Sequence, residues 1–469
     1  MKTKKYLVML SIVASALFLY LFYFTGMYMG YDDPVYAYSM LYPSIFKFVD
    51  SFAGGSLGFF IIGSLFVRIS GNSLLVPPLL NVLAILITIV VAFEIGYYYN
   101  RLVGGALAAI FYAFNPLTMT YSTRLLPDPF IALFLSISIY LLIVPSGKKY
   151  FYFLSGFAAG FTVLYGSQGF ISLSAYGIFL ISLLFAKGEK KKIQRLAFAL
   201  AGTAIPLGIY FGMQYALFKD IFYALKFTSF DASLKPYVKN YYLYSIFPIK
   251  LNTVTRVAFE PYSNIGLLGF FLAFLPLLYF KDFRMKFLPI AFSSLFFVFY
   301  FLFGSQSILE YSPLHGINRL LIPLAFLLSL YSAASFAFLF KKLKKYRFLL
   351  ASIGIAAYLL FSFVTFSYAV PFNAANSNWG KCYAIASQLQ RIFGNNVGNI
   401  TIYQNVCPFG FQFYYVLGAK PMSYMSFPQP VLNCSWSDTI YVLNSTACGS
   451  KYIYGNLSEG YYVYYLQTK

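Results

Sequence analysis

Long apolar runs separated by short polar stretches make up the chain from residue 6 to residue 369. A helix needs about 20 apolar residues to cross a bilayer, so the pattern predicts about eleven membrane-spanning helices. The predicted spans are 6–25, 74–98, 103–120, 128–144, 150–165, 168–186, 196–216, 262–280, 287–304, 318–340 and 348–369. The apolar run 56–69 is too short to span, and we predict that it forms a helix lying along the membrane surface.

The pattern changes at residue 370, where the chain becomes more polar and richer in Gly and Asn. Alternating apolar and polar positions at 401–403 and 439–442 predict strands, and 379–393 has the pattern of an amphipathic helix. We therefore predict an all-α polytopic membrane domain over residues 1–369 and a small C-terminal α/β domain over residues 370–469.

Composition and charge exclude a soluble protein, since 60% of the residues are hydrophobic and only 10% are charged. The formal net charge is +21. If the N-terminus lies inside, the short inner segments hold 19 of the 34 Lys and Arg residues but only three acids. Short loops rich in Lys and Arg stay in the cytoplasm, so the positive charge indicates membrane topology and contact with anionic lipid, not nucleic-acid binding.

This topology places three long loops and the tail outside the membrane. The predicted outer loops are 26–73, 217–261 and 304–317. Cysteines and N-glycosylation sequons occur only in the tail, which suits an oxidising compartment. The disulfide candidates are Cys382, Cys407, Cys434 and Cys448, with three pairings open, and the glycosylation candidates are Asn399, Asn433, Asn444 and Asn456. We expect a multi-pass cell-membrane protein with a cytoplasmic N-terminus and an extracytoplasmic C-terminal domain.

The first polar island follows the first predicted span, in the order Tyr31-Asp32-Asp33-Pro34. Acids near lipid are costly, which favours a functional site. Two like charges this close raise the pKa of one carboxyl, and such a group is suited to taking a proton from a hydroxyl. The alternative is a solvated pair that caps the next helix, because Asp before Pro is a common helix start.

The second polar island also lies between two apolar runs, on the same predicted side of the membrane. Its sequence is Arg124-Leu125-Leu126-Pro127-Asp128-Pro129. The functional interpretation is a second acid facing the same outer cavity as Asp32, with Arg124 near an anionic group. The alternative is a surface ion pair between residues four apart, which contributes little stability.

The third polar island contains His315, Asn318 and Arg319. An Arg side chain offers a planar fork of donors that suits a phosphate, so this island is a candidate anion site. The alternative is a polar rim at the end of a span, and Arg256 could hold the anion instead. His315 is the single histidine of the chain, which excludes a histidine-rich metal site.

These islands resemble motifs of the GT-C superfamily of integral-membrane glycosyltransferases. The closest branch looks like the protein O-mannosyltransferases and the lipid A aminoarabinose transferase, with their archaeal relatives. The segments that carry the resemblance are Tyr31 to Ala37, Arg124 to Phe130 and, more loosely, His315 to Pro323. The family motif usually has Asp-Glu where this chain has Asp32-Asp33.

The resemblance implies transfer of a sugar from a polyprenyl (dolichyl) phosphate donor to a hydroxyl of a protein, glycan or lipid on the outer face. Asp32 would be the general base, with Asp33 beside it, and the anomeric centre would be inverted. Asp128 would orient the acceptor or donor, and Arg124 or Arg319, with His315, would bind the departing phosphate. A divalent cation stays open as a cofactor. The alternative functions are a transporter or lipid flippase and a non-catalytic membrane anchor.

Overall fold

A computed structural model describes most of the helical part of the chain and four strands of the tail. The described residues are 2–22, 36, 40, 56–71, 76–144, 148–166, 168–185, 192–227, 281–303, 321–342, 347–377, 388, 391, 401–404, 439–443, 453–457 and 461–466. The chain divides into two compact units, Met1–Gly26 with Val49–Val370 and Met27–Phe48 with Pro371–Lys469. The domain bounds inferred from the sequence stay a prediction.

All described secondary structure of the first unit is helical. Its elements are α1 (Lys2–Phe22), α2 (Leu57–Ile69), α3 (Val76–Ala113), α4 (Pro116–Tyr121), α5 (Asp128–Ile143), α6 (Lys149–Phe161) with the 3-10 turn Thr162–Tyr165, α7 (Gly169–Phe185), α8 (Lys192–Phe218), α9 (Tyr223–Phe227), α10 (Lys281–Phe303), α11 (Ile322–Lys342) and α12 (Arg347–Ser377). Helices therefore occupy the predicted apolar runs, except 262–280, which lies outside the described residues.

Three described helices are long and apolar enough to cross a bilayer: Thr3–Leu21, Val76–Ala113 and Ile193–Phe218. Shorter apolar helices accompany them. These are Leu57–Ile69, Asp128–Ile143, Gly169–Leu183, Phe287–Tyr300, Ile322–Phe338 and Ser352–Val364. The chain is a multi-pass membrane protein, while the number of crossings and the orientation of its termini stay predictions.

Helix α3 is a hairpin of two helical segments. Its backbone leaves helical geometry at Asn100 (φ −136°, ψ 28°) and at Arg101 (φ 56°, ψ −148°). The two segments pack closely on either side of this reversal. A Cβ added at Gly96 would collide with the Gly104 carbonyl, so the approach requires glycine. The sequence placed a short inner loop at Arg101, and the structure shows a reversal of the chain there.

Helices α6 and α8 meet through small residues. A Cβ added at Gly156 would collide with the main chain of Ala199, and one added at Gly202 would collide with that of Phe153. The Thr203 hydroxyl donates to the Gly156 carbonyl at 3.0 Å. Small residues let helix backbones approach in lipid, where dispersion contacts and hydrogen bonds replace the hydrophobic effect as the source of association.

The described strands of the second unit form one four-stranded sheet. They are β1 (Thr401–Gln404), β2 (Thr439–Leu443), β3 (Ile453–Leu457) and β4 (Tyr461–Leu466). Their order is β1-β2-β4-β3, with β1 parallel to β2 and the other pairs antiparallel. The alternating segments of the tail thus form strands. The predicted helix 379–393 is described only at Gln388 and Arg391, which are helical, so the α/β class of the tail stays a prediction.

Candidate functional site

Two of the predicted site residues, Arg124 and Asp128, lie in the described part of the chain. The other site candidates, Asp32, Asp33, His315 and Arg319, lie outside the described residues. The disulfide candidates and three of the glycosylation candidates also lie outside the described residues: Cys382, Cys407, Cys434, Cys448, Asn399, Asn433 and Asn444. Asn456 lies in strand β3. The site is therefore built here from the second polar island and its neighbours.

The chain approaches this island through a break between α3 and α4. The last carbonyls of a helix lack partners within the helix. At the end of α3, the Tyr20 hydroxyl donates to the Ala113 carbonyl and the Tyr358 hydroxyl donates to the Phe111 carbonyl, each at 2.6 Å. Asn115 then caps α4, since its Oδ1 accepts the Leu117 N–H at 3.0 Å, and Pro116 follows at the first helical position. Side chains therefore satisfy the Phe111 and Ala113 carbonyls and the Leu117 N–H at this break.

The segment 122–127 connects α4 to α5 and is neither helix nor strand. Leu125 and Leu126 are fully buried, while Arg124 between them and α4 is half-buried. Asn81 of α3 is also fully buried, and its Nδ2 donates to the carbonyl oxygens of Arg124 and Leu126, the latter at 2.8 Å. A side chain from a distant helix thus satisfies main-chain acceptors that would be costly to bury alone.

Arg124 presents its charge at this segment. Its guanidinium carbon lies 5.1 Å from the centre of the Tyr121 ring, which is within the range of a cation–π contact. Such a contact helps to fix the side-chain direction of an arginine, whose planar N–H fork matches the oxygens of a phosphate or carboxylate.

Asp128 begins α5 and is only 1% exposed. Proline on each side, Pro127 and Pro129, fixes the backbone φ angle. The N–H groups of Phe130 and Ile131 both donate to the Pro127 carbonyl, at 3.0 and 3.3 Å. The Asp128 side chain is shielded from solvent. A carboxylate at the first turn of a helix is favoured by the helix dipole.

Aromatic rings from three elements pack directly after Asp128. The Phe130 ring stacks on the Tyr165 ring at 5.0 Å between centres, and Phe59 of α2 meets Phe130 edge to face at 5.8 Å. Phe134, one turn further along α5, lies 5.1 Å from Tyr165. The start of α2, the start of α5 and the 3-10 turn after α6 therefore meet at this end of the first unit.

Among the described residues, the ion pairs Lys5–Glu94 and Asp220–Lys226 lie away from this segment in sequence. Lys5 pairs with Glu94 at 2.6 Å and also lies 4.5 Å from the centre of the Tyr97 ring, and these contacts join α1 to α3. Asp220 pairs with Lys226 at 2.7 Å between α8 and α9. No group of three or more His, Cys, Asp and Glu side chains in the described ranges could hold a metal ion.

Sequence reasoning missed Asn81, Tyr121 and Tyr165. Of the three, Asn81 is the one that the sequence could have indicated, because a lone carboxamide inside a long apolar run needs a buried partner. Tyr121 and Tyr165 are two of 45 tyrosines, so composition offers no way to single them out.

The fold and this site define a multi-pass, mainly α-helical membrane protein with a buried acid four residues after an arginine, at the start of a helix. No protein-family profile matches the chain, and no curated protein sequence does. Solved structures do match. ArnT from Cupriavidus metallidurans in the apo state covers 99% of this chain and 98% of its own, with a TM-score of 0.60 and 12% sequence identity.

Two further structures give the same result. ArnT bound to undecaprenyl phosphate matches over 97% of both chains, with a TM-score of 0.59 and 13% identity. The apo oligosaccharyltransferase of Archaeoglobus fulgidus matches over 88% of this chain and 64% of its own, with a TM-score of 0.52 and 12% identity. At 12–13% identity this likeness shows the fold, and at that level it confirms the resemblance seen in the sequence.

Proposed function

We propose that this protein is a membrane glycosyltransferase that moves a sugar from a polyprenyl (dolichyl) phosphate to an acceptor hydroxyl outside the cytoplasm. One observation carries the proposal: Asp128 is buried at the start of α5, four residues after Arg124, in a chain with the ArnT fold. Burying an acid inside a membrane protein is costly, so its retention there favours a functional role. That ArnT structures include one with undecaprenyl phosphate supports a lipid-linked donor.

The proposed reaction is a single inverting displacement. The Asp32 carboxylate takes the proton of the acceptor hydroxyl, with Asp33 beside it. The acceptor oxygen forms a bond to the anomeric carbon on the face opposite the phosphate, while the bond from that carbon to the phosphate oxygen breaks. Polyprenyl phosphate leaves with the bonding electrons, and the configuration of the sugar inverts. Holding both reactants in one place supplies much of the acceleration.

The remaining polar residues bind the reactants on either side of the bond that breaks. Asp128 orients the acceptor or the donor sugar through its carboxylate. Arg124, or Arg319 with His315, stabilises the charge that develops on the departing phosphate. Planar guanidinium donors match phosphate oxygens in pairs, which makes an arginine suited to this role.

The architecture that accompanies this function completes the proposal. About eleven helices cross the membrane, in keeping with the length that a span requires. The N-terminus lies in the cytoplasm, and the C-terminal domain lies outside as a small α/β domain with disulfides and N-linked glycans. The sugar, the acceptor and a divalent-cation requirement are separate questions for the assay below.

The test is a transfer assay in proteoliposomes. Dolichyl phosphates carrying labelled mannose or glucose serve as donors, and total membrane protein and lipid serve as acceptors, with and without Mg²⁺ or Mn²⁺. We expect labelled sugar in the acceptor fraction together with free dolichyl phosphate. We expect the Asp32→Asn variant to lose at least about a hundredfold in rate, because general base catalysis contributes roughly 10²–10⁴-fold.

Two outcomes contradict the proposal. One is a full rate for Asp32→Asn. The other is movement of the labelled lipid across the bilayer without any sugar transfer, which is the result expected of a flippase or transporter.

A further inference from the structure

Asn81 ties the segment that carries Arg124 to helix α3. Its Nδ2 donates to the carbonyl of Arg124, 43 residues away, and to the carbonyl of Leu126, 45 residues away. The Leu126 N–H also donates to the Arg124 carbonyl at 3.1 Å. Both carbonyls that flank Leu125 are therefore bound by one buried side chain.

This segment lies outside regular secondary structure, so its carbonyls need donors from elsewhere, and Asn81 supplies two of them. Residues 122–127 lie outside any helix or strand, and Pro127 has no N–H to donate. A buried carbonyl without a donor is costly in an apolar interior. An amide NH₂ supplies two donors from one atom, and Asn81 directs both at this segment.

The path of this main chain determines where Arg124 points. The direction of a side chain follows from the backbone at its own Cα, and the Arg124 carbonyl is one of the two groups held by Asn81. The guanidinium end is held separately, 5.1 Å above the Tyr121 ring. Displacement of a charged group by about 1 Å can cost two orders of magnitude in rate, so the support of such a group matters as much as its identity.

We propose that Asn81 is the positioning residue of the candidate site: its carboxamide fixes the main chain at Arg124 and Leu126 and thereby directs the Arg124 guanidinium at the phosphate of the polyprenyl carrier. The inference rests on the function proposed above. It predicts that replacing Asn81 weakens recognition of the phosphate in particular, beyond any effect on folding.

Thr88 provides the matched control for Asn81. It lies on the same segment of α3, is equally buried, and its hydroxyl donates to the Ala84 carbonyl at 2.8 Å. Thr88→Val removes a buried hydroxyl within the helix, whereas Asn81→Leu removes donors that reach the segment 122–127. Asn81→Ala serves as a second variant, because it leaves space for water if leucine proves too large.

The experiment compares two probes that differ only in the phosphate. The affinities of undecaprenyl phosphate and undecaprenol are measured for the full chain in nanodiscs, and their ratio reports recognition of the phosphate. Protein that has failed to fold lowers the amount of binding but does not change this ratio. Thermal unfolding of each variant is recorded in parallel.

We expect the affinity ratio to fall at least about tenfold in Asn81→Leu and in Asn81→Ala, since the loss of a buried hydrogen bond to a positioned group has this magnitude. Arg124→Gln should lower the ratio further, and adding Asn81→Leu to Arg124→Gln should change nothing more, because Asn81 acts through Arg124. Thr88→Val should keep the wild-type ratio. An unchanged ratio in folded Asn81 variants, or equal effects of Asn81→Leu with and without Arg124, would overturn the proposal.

The same measurement separates this inference from the proposed reaction. The affinity ratio requires no sugar transfer, whereas the reaction is tested by the transfer assay. If the ratio behaves as expected and transfer is absent, the role of Asn81 toward polyprenyl phosphate stands and the glycosyltransferase proposal falls. If the wild-type chain does not distinguish the phosphate from the alcohol, the role of Asn81 falls whatever the transfer assay shows.

Discussion

At the scale of single residues, a few buried polar side chains hold the main chain around the candidate site through hydrogen bonds. Asn81 binds the main chain of residues 124–126, and Asn115 caps α4 with its Oδ1. The hydroxyls of Tyr20 and Tyr358 satisfy carbonyls at the end of α3. Each of these groups pairs with main chain at a helix end or outside regular secondary structure, which is where a membrane interior demands a side-chain partner.

The acid–arginine island was predicted from the sequence, but the contacts that hold it were not. Scarce charges between apolar runs single out Arg124 and Asp128, because charge near lipid is costly. The side chains that hold this segment and the helix end before it are far away in sequence. Asn81 is 43 residues from Arg124, and Tyr358 is 247 residues from Phe111. Apolar periodicity shows which residues form helices, but it does not show which helices are neighbours.

A residue-scale prediction concerns Asp220, which lies between α8 and α9. The Lys226 side chain, and then the Phe222 N–H at 3.0 Å, hydrogen-bond to the carboxylate and hold the pKa of Asp220 below its usual range. The unfolded carboxyl titrates near pH 3.9. A lowered pKa in the folded state stabilises the local fold above that pH, and the contribution is lost as pH falls through the folded pKa.

Hydrogen exchange at the Phe222 amide checks this prediction. We expect its protection factor to be higher at pH 6 than at pH 3 in the wild-type chain. In Asp220→Asn the side-chain oxygen can still accept this hydrogen bond but no longer titrates, so the difference between the two pH values should shrink. An equal loss of protection in both proteins would show that another group is responsible.

Glycine contacts define the closest helix pairing at the scale of the elements. Helices α6 and α8 approach so closely that Gly156 and Gly202 face carbonyls of the partner helix. The spacing of Gly156 and Gly160 is the small-xxx-small pattern of membrane helix pairs. The sequence showed both helices, but their pairing needed the structure, since α7 lies between them in the chain.

Two glycines of α8 provide a matched test of this pairing. A Cβ at Gly202 collides with the Phe153 carbonyl, whereas a Cβ at Gly208 has nothing within 4 Å. We expect Gly202→Ala to destabilise the protein by roughly 1–3 kcal/mol, because the two backbones must separate. Gly208→Ala should be neutral or stabilise by up to about 1 kcal/mol, because alanine favours the helix. Thermal unfolding in detergent measures both, and equal melting temperatures would contradict the packing described here.

At the scale of the whole molecule, the sequence predicted most of the helices but not how the strands of the tail pair. Apolar runs predict α1 and both segments of α3, and the reversal at Arg101 falls in the loop expected between two spans. The fold is similar to that of ArnT although only 12% of the residues are identical. The strands β1 and β2 lie at the alternating segments of the tail, although their parallel pairing is not a property of either segment alone.

The most direct test of the account is the rate of sugar transfer by Asp128→Asn, measured beside Asp220→Asn as a matched control. Both changes remove one carboxylate and keep its shape, but Asp128 is 1% exposed and Asp220 is in a partly exposed ion pair that contributes little stability. We expect Asp128→Asn to lose at least about tenfold in transfer from dolichyl phosphate sugar while remaining folded, because the amide lacks the charge with which the carboxylate orients a reactant. A tenfold loss corresponds to about 1.4 kcal/mol of transition-state stabilisation. Asp220→Asn should keep the wild-type rate at neutral pH. Equal rates for wild type and Asp128→Asn would contradict the account.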